Sequence, residues 1–197
     1  MERKRGIAVL FPGIGYTNDR SLLYFSGRLA EKEGYELLRI NYKGFPKGIK
    51  GDKDKMREAF FLARGQALEQ FDGIHWNEYE DVLFISKSIG TVVALSIAKD
   101  MGLKVRSVVF TPLAETFLYL ENDAVVFHGT ADPWAKTEDI VKGCSNGKTT
   151  LYITENANHS LETGEVFTDL KNLEEVMARV RDFIKAEIAS DIDSDSV

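Results

Sequence analysis

The chain has 197 residues, 44% hydrophobic and 28% charged, with a formal net charge of −6. That is the composition of a soluble globular protein with one sizeable core, and its acidic surplus argues against nucleic acid or an anionic membrane surface as partner. A single cysteine, Cys144, excludes an internal disulfide, and no segment reaches the roughly 18 apolar residues that a membrane span requires.

In chain order, the basic opening residues 1–5 run into a short apolar stretch that stops at Pro12 and Gly13. It is too short for a signal-peptide core, so a strand over 6–11 and a cytoplasmic protein are expected. A helix is predicted over 21–34, with Ser21 as its cap and Gly34 at its end, followed by a strand over 36–42. Met56, Ala59, Phe60, Ala63, Ala67 and Phe71 form a stripe at helical spacing. A strand over 81–85 leads into a third helix carrying Ile89, Val92, Val93, Ile97 and Met101. Strands over 106–111, 124–128 and 149–154 come next, and Leu173, Val176, Met177, Val180 and Ile184 mark a long last helix. Residues 1–189 read as a single domain and the acidic residues 190–197 as a flexible tail. Near-continuous apolar runs such as Val108-Val109-Phe110 fit strands buried on both faces. The alternation predicts an α/β protein: a three-layer αβα sandwich around a six-stranded, all-parallel, twisted sheet, with its site at the carboxyl ends of the strands.

The loop after the third strand reads Ser86-Lys87-Ser88-Ile89-Gly90. A serine held on a tight strand-to-helix turn needs small residues two positions to either side, so that helix and strand can approach. Here the pattern resembles the nucleophile elbow of the α/β-hydrolase family, with Ser86 in place of the first glycine. A serine before a helix is also a common cap, and the pentapeptide alone leaves both readings open. The family's chain order is serine, acid, histidine. His128-Gly129-Thr130-Ala131-Asp132-Pro133 follows the fifth strand and is similar to the family's acid loop, with Asp132 as the acid and His128 at the strand end. Glu155-Asn156-Ala157-Asn158-His159 follows the sixth strand, where the family's histidine sits.

The resemblance implies an oxyanion hole built from the Ile89 N–H and one N–H from Pro12-Gly13-Ile14-Gly15, where Ile14 is the candidate and Gly13 the next. It also implies a minimal, all-parallel version of the fold, lacking two leading strands and close to the small dienelactone-hydrolase-like branch. The interval between the fourth and fifth strands, residues 112–123, is too short for a lid. Ser88, His159 and Asp132 would then hydrolyse an acyl bond through an acyl-enzyme, with a small carboxylic ester as the leading substrate. Thioester or peptide substrates, or a fold kept only for binding, are the alternatives.

No cofactor is implied. His75, His128 and His159 lack ligand spacing, so no metal is expected. Gly13-x-Gly15 is no dinucleotide turn, because Asn18 stands where the third glycine belongs and Asn41 where an acid is needed. Glu115, after the fourth strand, is the alternative acid. Lys87 reads as a solvated lysine and Cys144 as an inert thiol, and Trp134 either lines the pocket or packs.

Overall fold

The computed structural model describes residues 4–49, 51–145 and 147–186. Among these, six strands form one sheet: β1 (Lys4–Phe11), β2 (Tyr35–Arg39), β3 (Tyr79–Lys87), β4 (Arg106–Phe110), β5 (Ala124–Gly129) and β6 (Thr149–Thr154). Their order is β2-β1-β3-β4-β5-β6 and every pairing is parallel. The helices are α1 (Ser21–Lys32), α2 (Lys53–Glu69), α3 (Ile89–Asp100), α4 (Thr137–Gly143) and α5 (Val166–Lys185). The expected three-layer, all-parallel architecture is observed. The acidic tail foreseen over 190–197 lies outside the described residues.

Parity along the strands decides which helices cover which face. Ala8, Leu10, Leu83, Ile85, Val108, Phe110, Val125 and Phe127 bury against Leu22, Leu23 and Ala30 of α1 and Val176, Val180 and Ile184 of α5. The alternate residues Ile7, Val9, Phe11, Val82 and Phe84 bury against Ala63 and Ala67 of α2 and Val93, Ala94 and Ile97 of α3. Val109 and Val126 continue that face toward Leu95 of α3 and Ile140 of α4. Burying a side chain of this size contributes about 1.5–3 kcal/mol, which is why helical stripes and strand runs converge on one sandwich.

Where elements depart from the sequence reading, the reasons are local. β2 stops at Arg39 because side chains at the end of α2 take over the backbone that follows: Gln70, the C-cap of α2, bonds both N–H and C=O of Asn41, and Gln66 those of Lys43. α5 starts at Val166, well before the apolar stripe, because Glu165 caps it through the Phe167 and Thr168 amides while Val166, Phe167 and Leu170 face outward. Ser21 is the first residue of α1 rather than its cap; Arg20 holds the cap position and makes no side-chain cap bond. The short helix α4 carries no apolar periodicity long enough to announce it. Among the described residues, no helix is long and apolar enough to cross a membrane.

Candidate active site

β3 is central, paired with β1 and β4, so its carboxyl end opens onto the loops of both neighbours. There the chain turns directly into α3 through Ser88, which has φ 57° and ψ −127°. A non-glycine residue in this region is strained by about 1–3 kcal/mol and stays there only if its surroundings hold it. They do: the Ser88 N–H donates to the Phe110 carbonyl (3.1 Å), and the Ser88 carbonyl accepts from both the Thr91 N–H (2.9 Å) and the Thr91 hydroxyl (2.6 Å). Ser88 thus occupies the cap position of α3, yet its side chain makes no cap bond.

The turn also requires that helix and strand touch. A Cβ on Gly90 would lie 2.4 Å from the Phe11 carbonyl oxygen, so only glycine fits. Ser86, where the elbow pattern has glycine, is fully buried and donates its hydroxyl to the Val108 carbonyl at 3.3 Å. The departure is absorbed because the added hydroxyl finds a partner in β4.

The Ser88 hydroxyl lies 2.8 Å from His159 Nε2, and His159 Nδ1 lies 2.7 Å from Asp132 Oδ2. The carboxylate assigns the tautomer: Nδ1–H donates to Asp132, leaving Nε2 to accept from the serine. The Asp132 side chain is fully buried, and its other oxygen accepts the Trp134 N–H at 2.9 Å. Burial holds the His159 ring below its ordinary pKa of 6.5; the Asp132 hydrogen bond opposes this, and the nearby Lys87 charge adds to it. The ring therefore stays unprotonated at neutral pH.

The acid and histidine loops come from adjacent strands and are stitched together. Ala131 N–H donates to the Ala157 carbonyl, Asn156 N–H to the Thr130 hydroxyl, and a Cβ on Gly129 would sit 2.2 Å from the Ala157 oxygen. Asn158 Oδ1 accepts from the Ser160 and Glu162 amides and closes the histidine loop on itself. The non-glycine residues with positive φ among the described residues are Ser88, Thr111, Asn156 and Leu161, all in loops at this end of the sheet.

Gly13 packs against the serine: a Cβ there would meet Ser88 Cβ at 3.1 Å. Gly13 and Tyr16 exchange backbone hydrogen bonds, so the Gly13 N–H is committed. Ile14 lies exposed at the tip of this turn, and Ile89 opens α3, where the helix dipole favours negative charge.

Ser88, His159 and Asp132 thus meet, while Glu115 is exposed and lies outside the relay. His128 is buried in β5 and bonds the Thr137 hydroxyl at 3.0 Å. Cys144 is buried, its thiol pushed up to about 11 by desolvation, which leaves it inert. Trp134, 36% exposed, stands with its ring centroid 5.8 Å from that of His159 and borders the site. Lys87 corrects the expectation of a solvated side chain: it is 1% exposed and inside the protein. Strand parity carried that signal, because 83, 85 and 87 share one covered face. Thr111 and Thr130 give none in sequence, since their roles depend on neighbouring strands, whereas Thr91 bonds back to Ser88 three residues earlier.

No protein-family model and no curated protein matches this sequence. Solved structures do. A serine hydrolase homologue of Coxiella burnetii aligns with TM-score 0.64 at 16% identity, over 92% of this chain and 86% of that one. An esterase of Pyrococcus furiosus aligns with TM-score 0.64 at 16% identity, over 93% and 83%. A serine hydrolase without lid from Xanthomonas campestris aligns with TM-score 0.61 at 14% identity, over 92% and 82%. At such identities the likeness concerns architecture, and the architecture is the α/β-hydrolase fold.

Proposed function

We propose that this protein is a serine hydrolase that cleaves small carboxylic esters, with Ser88 as nucleophile, His159 as general base and acid, and Asp132 as the group that orients and stabilises the imidazolium. The observation that carries the reading is the relay itself: two hydrogen bonds of 2.7 and 2.8 Å running from a buried carboxylate to a serine that its strained backbone keeps from capping a helix.

Ser88 Oγ attacks the ester carbonyl while its proton passes to His159 Nε2. The alkoxide leaves with that proton, and an acyl-enzyme on Ser88 remains. Water then attacks the acyl carbon as His159 takes one of its protons, and collapse breaks the bond from that carbon to Ser88 Oγ, which takes the proton back from His159 Nε2 as the acid is released. In both tetrahedral intermediates the Ile89 and Ile14 amides face the oxyanion, each such donor being worth about 10²–10³ in rate. The interval between β4 and β5 holds only a short 3₁₀ segment, Ala114–Leu118, which suits substrates reached without a lid. The esterase and lidless neighbours point to the same class.

Intact-mass measurement after incubation with a fluorophosphonate tests this without a known substrate. One adduct per chain, lost in Ser88→Ala, is expected. A folded native chain that forms none sinks the mechanism. A panel of acyl esters, thioesters and peptides then ranks the acyl class, with short esters expected fastest.

A further inference from the structure

The residue before the nucleophile is a buried lysine with three partners on three loops. Lys87 Nζ donates to the His159 backbone carbonyl at 2.7 Å and to the Thr111 hydroxyl at 2.9 Å, and lies 4.9 Å from the centroid of the Tyr16 ring. These partners follow β6, β4 and β1, so one ammonium ties together the loop of the base, the loop beside the elbow and the loop of the Ile14 amide. Thr111 is itself strained, a β-branched residue at φ 42°. An apolar side chain would fill this space at lower desolvation cost, so fold stability does not account for a lysine here.

We propose that Lys87 is a positioning residue of the serine relay: it pins the backbone of His159 and sets a positive charge against the imidazole, keeping the ring unprotonated and ready to accept the Ser88 proton.

The charges around it agree. Desolvation lowers the ammonium to about 7, opposed by Asp132 and Glu162. Tyr16, whose phenol burial pushes up, and His159 are the other titratable groups against it. In the range where His159 titrates, below 6.5, Lys87 still holds its proton, and its charge is among the causes that lower the ring. Removing that charge must raise the histidine.

This inference rests on the serine-hydrolase reading, and the rate of fluorophosphonate labelling across acid and neutral pH tests both. In the native chain, labelling rises with pH along the His159 titration. Lys87→Met, close in length and uncharged, is expected to label at least about tenfold more slowly on the plateau, because a displaced base loses its alignment. Its midpoint is expected to move up. A slower plateau with an unmoved midpoint marks a merely structural lysine and overturns the proposal, as does a variant indistinguishable from native. If Lys87→Met does not fold, Thr111→Val decides. With one acceptor gone the ammonium loses its proton more readily, so the midpoint is expected to move the same way by less, and an unmoved midpoint overturns the proposal. A native chain that is not labelled removes both readings; a native chain labelled at Ser88 with an unaltered Lys87→Met removes only this one.

Discussion

The two ends of β3 both bury charge, and they use it differently. At the amino end, Asp81 accepts from the Tyr35 hydroxyl and from Arg106 Nη1 at 2.9 Å. Arg106 also donates to the Phe183 carbonyl of α5 and lies over the Phe183 ring at 4.7 Å. Asp81 and Arg106 thereby pair with each other inside the protein. At the carboxyl end, Asp132 is just as buried, but its partner is an imidazole, and the chain of bonds ends on a half-buried hydroxyl. Both groups here can change charge: burial brings Lys87 down to about 7 and holds His159 below its ordinary 6.5. Buried charge alone therefore does not mark a reactive site; what marks it is buried charge with titratable partners and one group left facing solvent.

The largest expected effect falls at the carboxyl end. His159→Ala should lower kcat by about 10⁴–10⁶-fold while leaving the melting temperature close to native, read by ester hydrolysis beside calorimetry. Arg106→Met should do the reverse. It strands Asp81 without its cation and should destabilise by about 3–5 kcal/mol in denaturant titration, with kcat per folded molecule unchanged. A large loss of kcat in Arg106→Met, or of stability in His159→Ala, would dissolve the contrast between the two ends.

Two smaller effects sharpen it. The kcat/KM of the native chain should rise with pH through a midpoint below 6.5, since burial first, and the Lys87 charge after it, hold His159 below its ordinary value. Stability carries a complementary signature. The unfolded chain keeps the Lys87 proton up to about 10.5, whereas the folded chain sheds it near 7, so the unfolded state binds more protons between those values. Native stability should therefore rise with pH across that window relative to Lys87→Met, in paired unfolding curves, and stay level at its lowest below about 7, where both states hold the proton. The smallest effect is expected for Ser86→Gly, which restores the usual elbow. It removes one 3.3 Å hydrogen bond and should change stability by about 1 kcal/mol or less and activity by no more than a few-fold.

Much of this was legible in the chain. Residues 81–85 announced a strand, and Gly90 two places after Ser88 announced the close turn, a requirement that the Phe11 carbonyl, 2.4 Å from a built Cβ, makes physical. Lys87 was misread because a lysine beside a loop is ordinarily solvated, and composition says nothing of three loops converging over it. β2 ended early because Gln66 and Gln70, distant in sequence, captured its backbone.

Local pattern and chain order alone determined the alternation of strands and helices, the elbow at Ser88, and the placing of Asp132 and His159 after successive strands. These depend on spacing and on which residues a tight turn admits, and such properties are written along the chain. Tertiary structure alone decided that Ser88 forgoes its cap bond for His159 and that Lys87 is buried against the histidine loop. Each of these sets one hydrogen-bond partner against another brought from a different strand, and only the folded sheet brings them within reach.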